Sequence, residues 1–197
     1  YNFKNKYFAE FVFRYEGSQN FAEDQRFGFF PGVSGAWLVS EEDFLKNSNV
    51  ISSLKLKASW AELGNDRISA FNYLATFGSG NSTVVNGTTL PGIRESGSVN
   101  PDVTWEVTAT TNFGVEASFF NNKLFVEAAV FKMNTRDILA QPNLTLPNFT
   151  GIDPPNLNIG SMENKGYELD LNYRSKIGEL EFSIGGNMTY TKNKITN

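Results

Sequence analysis

The stretch Thr104 to Ser118, TWEVTATTNFGVEAS, restricts the possible folds more than any other part of the chain. Trp105, Val107, Ala109, Thr111, Phe113, Val115 and Ala117 fall on one parity. Thr104, Glu106, Thr108, Thr110, Asn112, Gly114, Glu116 and Ser118 fall on the other. Side chains alternate across a strand, so the stretch is predicted as one strand with an apolar and a polar face. It is long: an ordinary strand has about 5–6 residues, whereas a tilted membrane-crossing strand needs about 9–11.

The same pattern recurs. Lys6 to Tyr15, Gly28 to Val39, Leu54 to Leu63, Lys123 to Arg136, Lys165 to Arg174 and Glu179 to Thr191 all read as strands. In the sixth, Tyr167, Leu169, Leu171 and Tyr173 alternate strictly with Glu168, Asp170, Asn172 and Arg174. The fold is therefore expected to be all-β, an antiparallel meander of about seven long strands. Ser40 to Leu45 reads as a short helical turn, with Ser40 as N-cap and Glu41, Glu42 and Asp43 at its positive end. Gly64 to Asp102 and Leu139 to Met162 read as long irregular loops. Connections are expected to alternate long and short, with the long ones gathered at one end, as in outer-membrane barrels. Tyr7, Tyr15, Trp37, Trp60, Trp105, Tyr173 and Tyr190 fall near strand ends, where interfacial aromatic girdles belong.

Composition narrows the chemistry. The chain has no Cys and no His, so disulfides, thiolate metal sites, the commonest general base and the commonest zinc ligand are all absent. With 17 Lys+Arg against 21 Asp+Glu, the net charge is −4, which argues against electrostatic nucleic-acid binding. No apolar run reaches the roughly 18 residues of a membrane helix, but barrel strands alternate and escape that criterion. Tyr1 is not an initiator Met, and no signal peptide follows it, so the chain is expected to be an internal fragment of a larger protein.

Several blocks carry a family resemblance. Arg26-Phe27-Gly28-Phe29-Phe30-Pro31, Val33-Ser34-Gly35-Ala36-Trp37 and Ser40-Glu41-Glu42 are followed by Leu54-Lys55-Leu56-Lys57-Ala58-Ser59-Trp60 and Leu63-Gly64-Asn65. Then come Asn100-Pro101-Asp102-Val103-Thr104-Trp105-Glu106, Asp137-Ile138-Leu139 and the run from Asn158 to Leu169. In order and spacing the chain resembles the SusC-like (RagA/SusC type) TonB-dependent outer-membrane transporters over nearly its whole length. Phe27 stands where that family more often has Trp, and Val107 where it more often has Lys.

The resemblance implies that residues 1–197 belong to the C-terminal half of a 22-stranded transmembrane β-barrel domain in a Bacteroidetes-type Gram-negative outer membrane. Plug domain, signal peptide and terminal strand are expected to lie outside the chain. It further implies a SusD-like surface lipoprotein over the mouth, energy from TonB-ExbB-ExbD through the missing N-terminal part, and a glycan or peptide cargo. No cofactor, metal or enzymatic activity is implied. The rival reading is a soluble secreted β-sandwich that binds carbohydrate; it requires the apolar faces to be buried between two sheets.

Candidate site residues follow from this frame. Phe71, Tyr73, Phe77 and Phe149 lie in the long loops and could stack on sugars or anchor the loops. Glu106, Glu116, Glu168, Asp170 and Arg174 fall on the polar parity and are expected to face the lumen. Glu168 and Asp170 lie two residues apart on one face, at roughly 6.5–7 Å, a spacing compatible with an inverting glycosidase pair. A polar lumen wall explains them more simply. Trp105, Val107, Ala109, Phe113, Val115, Tyr167, Leu169, Leu171, Tyr173, Phe182, Ile184 and Met188 are expected to face lipid.

Overall fold

The computed structural model describes residues 1–95, 98–142 and 154–196. Among the described residues the strands are β1 (Asn2–Phe3), β2 (Tyr7–Gly17), β3 (Phe27–Leu38), β4 (Ile51–Asn65), β5 (Phe77–Val85), β6 (Thr88–Glu95), β7 (Glu106–Phe119), β8 (Leu124–Ala140), β9 (Leu157–Ile177) and β10 (Leu180–Ile195). Eight of them make one antiparallel sheet in the order β1-β2-β3-β4-β7-β8-β9-β10, and β5-β6 forms a separate two-stranded hairpin. The sheet is a meander, open at β1 and β10.

Its two faces are chemically distinct, because directly paired residues in a ladder share a face. Tyr7, Trp37, Leu56, Val115, Ala128, Leu169 and Met188 form one continuous row from β2 to β10. The next row contains Ala58, Phe113, Val130, Tyr167 and Tyr190. This face is exposed: Phe113 is 57% accessible, and Leu171 and Ile184, in further rows of the same face, are 42% and 67% accessible. The opposite face carries Lys57, Ser59, Asn112, Glu116, Glu127, Glu168 and Asp170. Among the described residues no second sheet covers the apolar face, which is the opposite of what the β-sandwich reading requires.

The position of the apolar band gives the strand tilt. On β2 its rings run from Tyr7 to Tyr15, and on β10 from Phe182 to Tyr190. Tyr7 lies on the row of Met188, so the lower edge of the band has moved six residues, from Met188 to Phe182, in the six steps from β2 to β10. One residue of about 3.3 Å along the strand for each step of about 4.8 Å across it corresponds to strands inclined by roughly 35° to the band normal, the inclination of barrel strands. Stacked or tilted ring pairs mark both edges: Tyr7–Trp37 at 6.3 Å and Tyr173–Phe182 at 6.2 Å on one side, Tyr15–Phe27 and Tyr167–Tyr190, each at 5.3 Å, on the other.

Several expectations need correction. The long β4–β7 connection is not irregular throughout: Asn86 (φ 51°) and Gly87 (φ 78°) both take the left-handed conformation that a two-residue hairpin turn needs, and they join β5 to β6. The second long loop is shorter than expected, because β8 continues to Ala140 and β9 starts at Leu157. β9 thus has 21 residues, far more than a membrane crossing needs. The β3–β4 connection is longer than the β2–β3 loop, so the long-short alternation holds only from β4 onward. Ser40 is not an N-cap; it lies inside a 3₁₀ turn, Val39–Glu41, that has no side-chain cap. Pro31 lies inside β3, where pairing with β4 has not begun and its missing N–H leaves no gap in that ladder.

Glu42, in the β3–β4 connection, ties that connection to the ring pair at the band edge. Its carboxylate accepts from Tyr7 Oη at 2.7 Å, Lys6 Nζ at 3.0 Å and Trp37 Nε1 at 3.1 Å. The Tyr7 hydroxyl first, then Lys6 and Trp37, pull the carboxyl from its ordinary 4.5 down to about 2. A lowered carboxyl pKa gives a contribution that is complete above about pH 4.5 and is lost as pH falls toward 2. The same contact raises Lys6, so its contribution is complete below 10.5 and is lost only in stronger alkali. A spin label at Lys46→Cys in the full-length protein is therefore expected to be immobile from about pH 5 to 9 and to loosen toward pH 2. Glu42→Gln should loosen it already at pH 7. Identical spectra at pH 2 and pH 6 would contradict the tie.

Candidate site at the loop end and on the polar face

At the end of the sheet where β2–β3, β4–β7 and β8–β9 connect, the loops share an apolar cluster. Phe21, Phe30, Val103, Trp105 and Val107 are its buried members, and Ile68, Tyr73 and Leu139 pack against it. Trp105 meets Phe21 at 5.2 Å and Phe30 at 5.3 Å between centroids, and its indole N–H donates to the Arg26 carbonyl at 3.2 Å. β3 and β4 stop pairing beyond Gly32 and Ala61. Phe30 lies there against Gly28 and Gly64; a Cβ on Gly64 would come within 2.0 Å of the Phe30 ring, so only glycine fits. Phe30 belongs by parity to the polar face and Trp105 to the apolar one, and they meet where the two strands have parted.

The assignment of Trp105 and Val107 to lipid is thereby corrected. They share the parity of Phe113, but Trp105 is 7% and Val107 8% accessible. They lie past the edge of the band, and the loops cover them.

Polar contacts lock the same loops together. Ser18 Oγ donates to Asp66 at 2.6 Å, and Asn20 Nδ2 donates to the Asp66 carbonyl at 3.1 Å. Asn158 is clamped on three sides: its amide donates to the carbonyls of Thr104 (2.9 Å) and Asp137 (2.7 Å), and its side-chain oxygen accepts from Thr104 N–H (3.1 Å). Asp137 occupies a bulge at φ 59°, which turns its carbonyl toward Asn158. Asn100 reaches the Asn156 carbonyl at 3.1 Å.

Beside this cluster is a polar cavity of about 370 Å³, lined among others by Asn65, Arg67, Asn72, Glu106, Asn156 and Asn158. Glu106 therefore lies at the mouth of the polar face, where it accepts from Asn65 at 3.4 Å. Of the loop aromatics, Phe71 is exposed and in ring contact with Tyr73 at 6.5 Å, while Tyr73 is half-buried against the apolar cluster. Phe77 is exposed at the base of the β5–β6 hairpin. Phe149 lies outside the described residues. The structure thus brings Phe71 and Tyr73 together and leaves Phe77 in a separate element.

The remaining charged candidates line the middle of the polar face. Lys57 Nζ bridges Glu127 (2.8 Å) and Glu116, and Lys55 approaches Glu116 at 3.8 Å. Asp170 pairs across the ladder with Glu127, and Glu168 with Ala129. Neither Glu168 nor Asp170 joins an ion pair among the described residues, and both open onto an uncovered face. Arg174 lies at the opposite end of this face, donating to Asn172 at 3.2 Å. Among the described residues no cluster of carboxylates is arranged to hold a metal ion. The ion bridge through Lys57 and the Asn158 clamp were not visible as site features in sequence; the clamp's only trace is the Asn158-Ile159-Gly160 block.

An open sheet with an uncovered apolar band, ringed at both edges and backed by a charged polar face, is the wall of a transmembrane β-barrel. The comparisons with known proteins agree. The family model "TonB dependent receptor-like, beta-barrel" matches residues 1–197. The chain is 36% identical over 172 residues to TonB-dependent receptor P26 of Formosa agariphila, covering 87% of this chain and 17% of that protein. It is 31% identical over 201 residues to TonB-dependent receptor SusC of Bacteroides thetaiotaomicron, covering 100% of this chain and 20% of SusC. The RagAB peptide importer in its open-open state superposes with a TM-score of 0.87 at 28% identity, over 99% of this chain and 21% of that one. The chain therefore belongs to the SusC-like TonB-dependent receptors, a family of outer-membrane receptors and transporters. It spans about a fifth of the length of these relatives.

Proposed function

We propose that the whole protein imports a large polar nutrient, an oligosaccharide in the first place, across the outer membrane, and that this chain supplies barrel wall and extracellular loops. The observation that carries this reading is the division of the sheet: one face offers a tilted apolar band to lipid, and the other offers charged groups to a water-filled or plugged interior. The exposed Phe71 ring, close in sequence to Asn72 and Arg67 of the polar cavity, supplies a stacking surface beside hydrogen-bond donors, the combination that recognises a sugar ring. Glu106, Glu116, Glu168, Asp170 and Arg174 are lumen-facing on this reading, and Lys57 offsets part of the charge of the Glu116–Glu127 row.

The locked loop platform suits a SusD-like lipoprotein resting on it, and energy would come through the TonB complex. A neighbouring structure is named as a peptide importer, so peptide is the alternative cargo. Deleting the full-length gene and measuring growth on defined oligosaccharides and on peptides tests the proposal. Loss of growth on one oligosaccharide class supports it. Loss on peptides alone would replace the cargo, and unchanged uptake of both would remove the importer reading.

A further inference from the structure

Immediately beyond the band-edge row of Val130, Tyr167 and Tyr190, the apolar face changes abruptly. Lys132 faces Lys165 across the β8–β9 ladder, and Lys165 faces Lys192 across the β9–β10 ladder. Three ammonium groups thus stand in one row on adjacent strands, pointing to the same side as the lipid-facing residues. Like charges directly opposite each other destabilise a sheet, so the row needs a compensating anion. The protein supplies half of one: Glu163, one row further out, is shared between Lys132 Nζ at 2.8 Å and Lys165 Nζ at 3.3 Å. Lys192 joins no ion pair among the described residues. The concentration is local, since the chain as a whole carries a net charge of −4. It is also one-sided, because at the other edge of β9 and β10 the same face ends in Ile177, Leu180 and Phe182.

We propose that Lys132, Lys165 and Lys192 form a binding site on the outside of the barrel for the phosphate groups of a glycolipid in the outer leaflet. This rests on the reading that the apolar face meets lipid. Given that reading, the three lysines stand near headgroup depth, two residues past Val130, Tyr167 and Tyr190; because the band edge shifts one residue per strand, Lys132 reaches the level of that edge and Lys192 lies furthest beyond it. Lysine stems lie along apolar surface and raise their ammonium groups to the interface. A soluble acidic protein would have to enter the headgroup layer to reach them; a lipid phosphate is already there. The ladder spacing of about 4.8 Å between neighbouring strands lets one phosphate touch two ammonium groups. The row also lies on the loop side of the sheet, so the bound lipid would hold the wall just below the loop platform.

The test uses the full-length protein in detergent, with native mass spectrometry reading bound lipid. Three probes are compared: a phosphorylated lipid A-type glycolipid, its phosphate-free form, and inorganic phosphate. The wild type is expected to hold the phosphorylated glycolipid roughly tenfold or more tighter than the phosphate-free form. Lys132→Gln/Lys165→Gln/Lys192→Gln should lose that preference, and the triple Lys→Arg variant should keep it. Equal retention of both glycolipids by the wild type would overturn the proposal, and so would an unchanged preference in the Gln variant. Binding of inorganic phosphate at the same concentration would overturn the lipid assignment. If the Gln variant fails to assemble, the wild-type comparison and the Arg variant still decide. A parallel Leu171→Cys probe separates the two readings: labelling by a water-soluble reagent would break the lipid-facing assignment, whereas protection without phosphate preference would break only this inference.

Discussion

Leu171→Arg in the full-length protein is expected to block barrel assembly, and Asn172→Arg is expected to be tolerated. The two positions are neighbours on β9 and differ only in face. Leu171 lies on the exposed apolar face in the row of Ala117 and Val126, while Asn172 lies on the polar face in the row of Ser118 and Phe125. An arginine on the lipid side near the midplane costs roughly 2–4 kcal/mol and has no partner there. At 172 the guanidinium would lie on the polar face, where it stays solvated; the change gives up only the acceptor that Asn172 offers Ser183 at 3.1 Å and Arg174 at 3.2 Å. Heat-modifiable mobility on gels, which separates folded from unfolded barrels, measures this directly. Equal amounts of folded barrel in the two variants would contradict the assignment of faces.

The second large effect is expected from Trp105→Ala. The indole fills the centre of the loop-end cluster, and removing a buried tryptophan costs about 3–5 kcal/mol through lost contacts and the cavity left behind. It also leaves the Arg26 carbonyl without its indole donor. Because the cluster lies past the band edge, the barrel wall should still assemble. The loss should fall on the loops, as faster proteolysis within residues 18–26 and 66–104 and as weakened uptake with normal protein levels. Gly64→Val should mimic it, since the added side chain drives into the Phe30 ring. Loops as resistant as the wild type's would show that the cluster does not organise them.

The sheet was legible in sequence because period-two alternation survives wherever one face meets lipid and the other water. Tyr167 to Arg174 is the clearest case, and its ladder register confirms every parity read from it. Strand ends were legible only where the alternation persists. Leu157 to Asn164 reads LNIGSMEN, with no alternating apolar set, because β9 there has left the apolar band and both its faces are wet or loop-covered. The β5–β6 hairpin was hidden for a related reason. Its Asn86-Gly87 turn is a strong signal, but the flanking Gly78 to Thr83 offers no apolar side chains to alternate.

Trp105 and Val107 show the limit of parity. Which side a residue points to follows from alternation, but whether lipid or a loop covers that side depends on its height along the strand. Height came only from the ladder, which fixed the tilt of the band. The site was less legible than the fold. The blocks around Gly28, Gly64, Trp105 and Asn158 read as family markers, and in three dimensions they turn out to be the parts of one loop-locking cluster. Contacts between residues 79 positions apart, such as Trp105 with Arg26, leave no local pattern to read.

The division of the sheet into a lipid face and an interior face is the claim on which the rest depends. Single cysteines placed by Leu171→Cys and Asn172→Cys in the full-length protein, labelled in intact outer membranes, test it most directly. A membrane-soluble maleimide is expected to reach position 171 and a water-soluble, charged one is not, while position 172 should show the reverse or be shielded from both by a plug. Labelling of position 171 by the charged reagent, with position 172 reached only by the membrane-soluble one, would contradict the account.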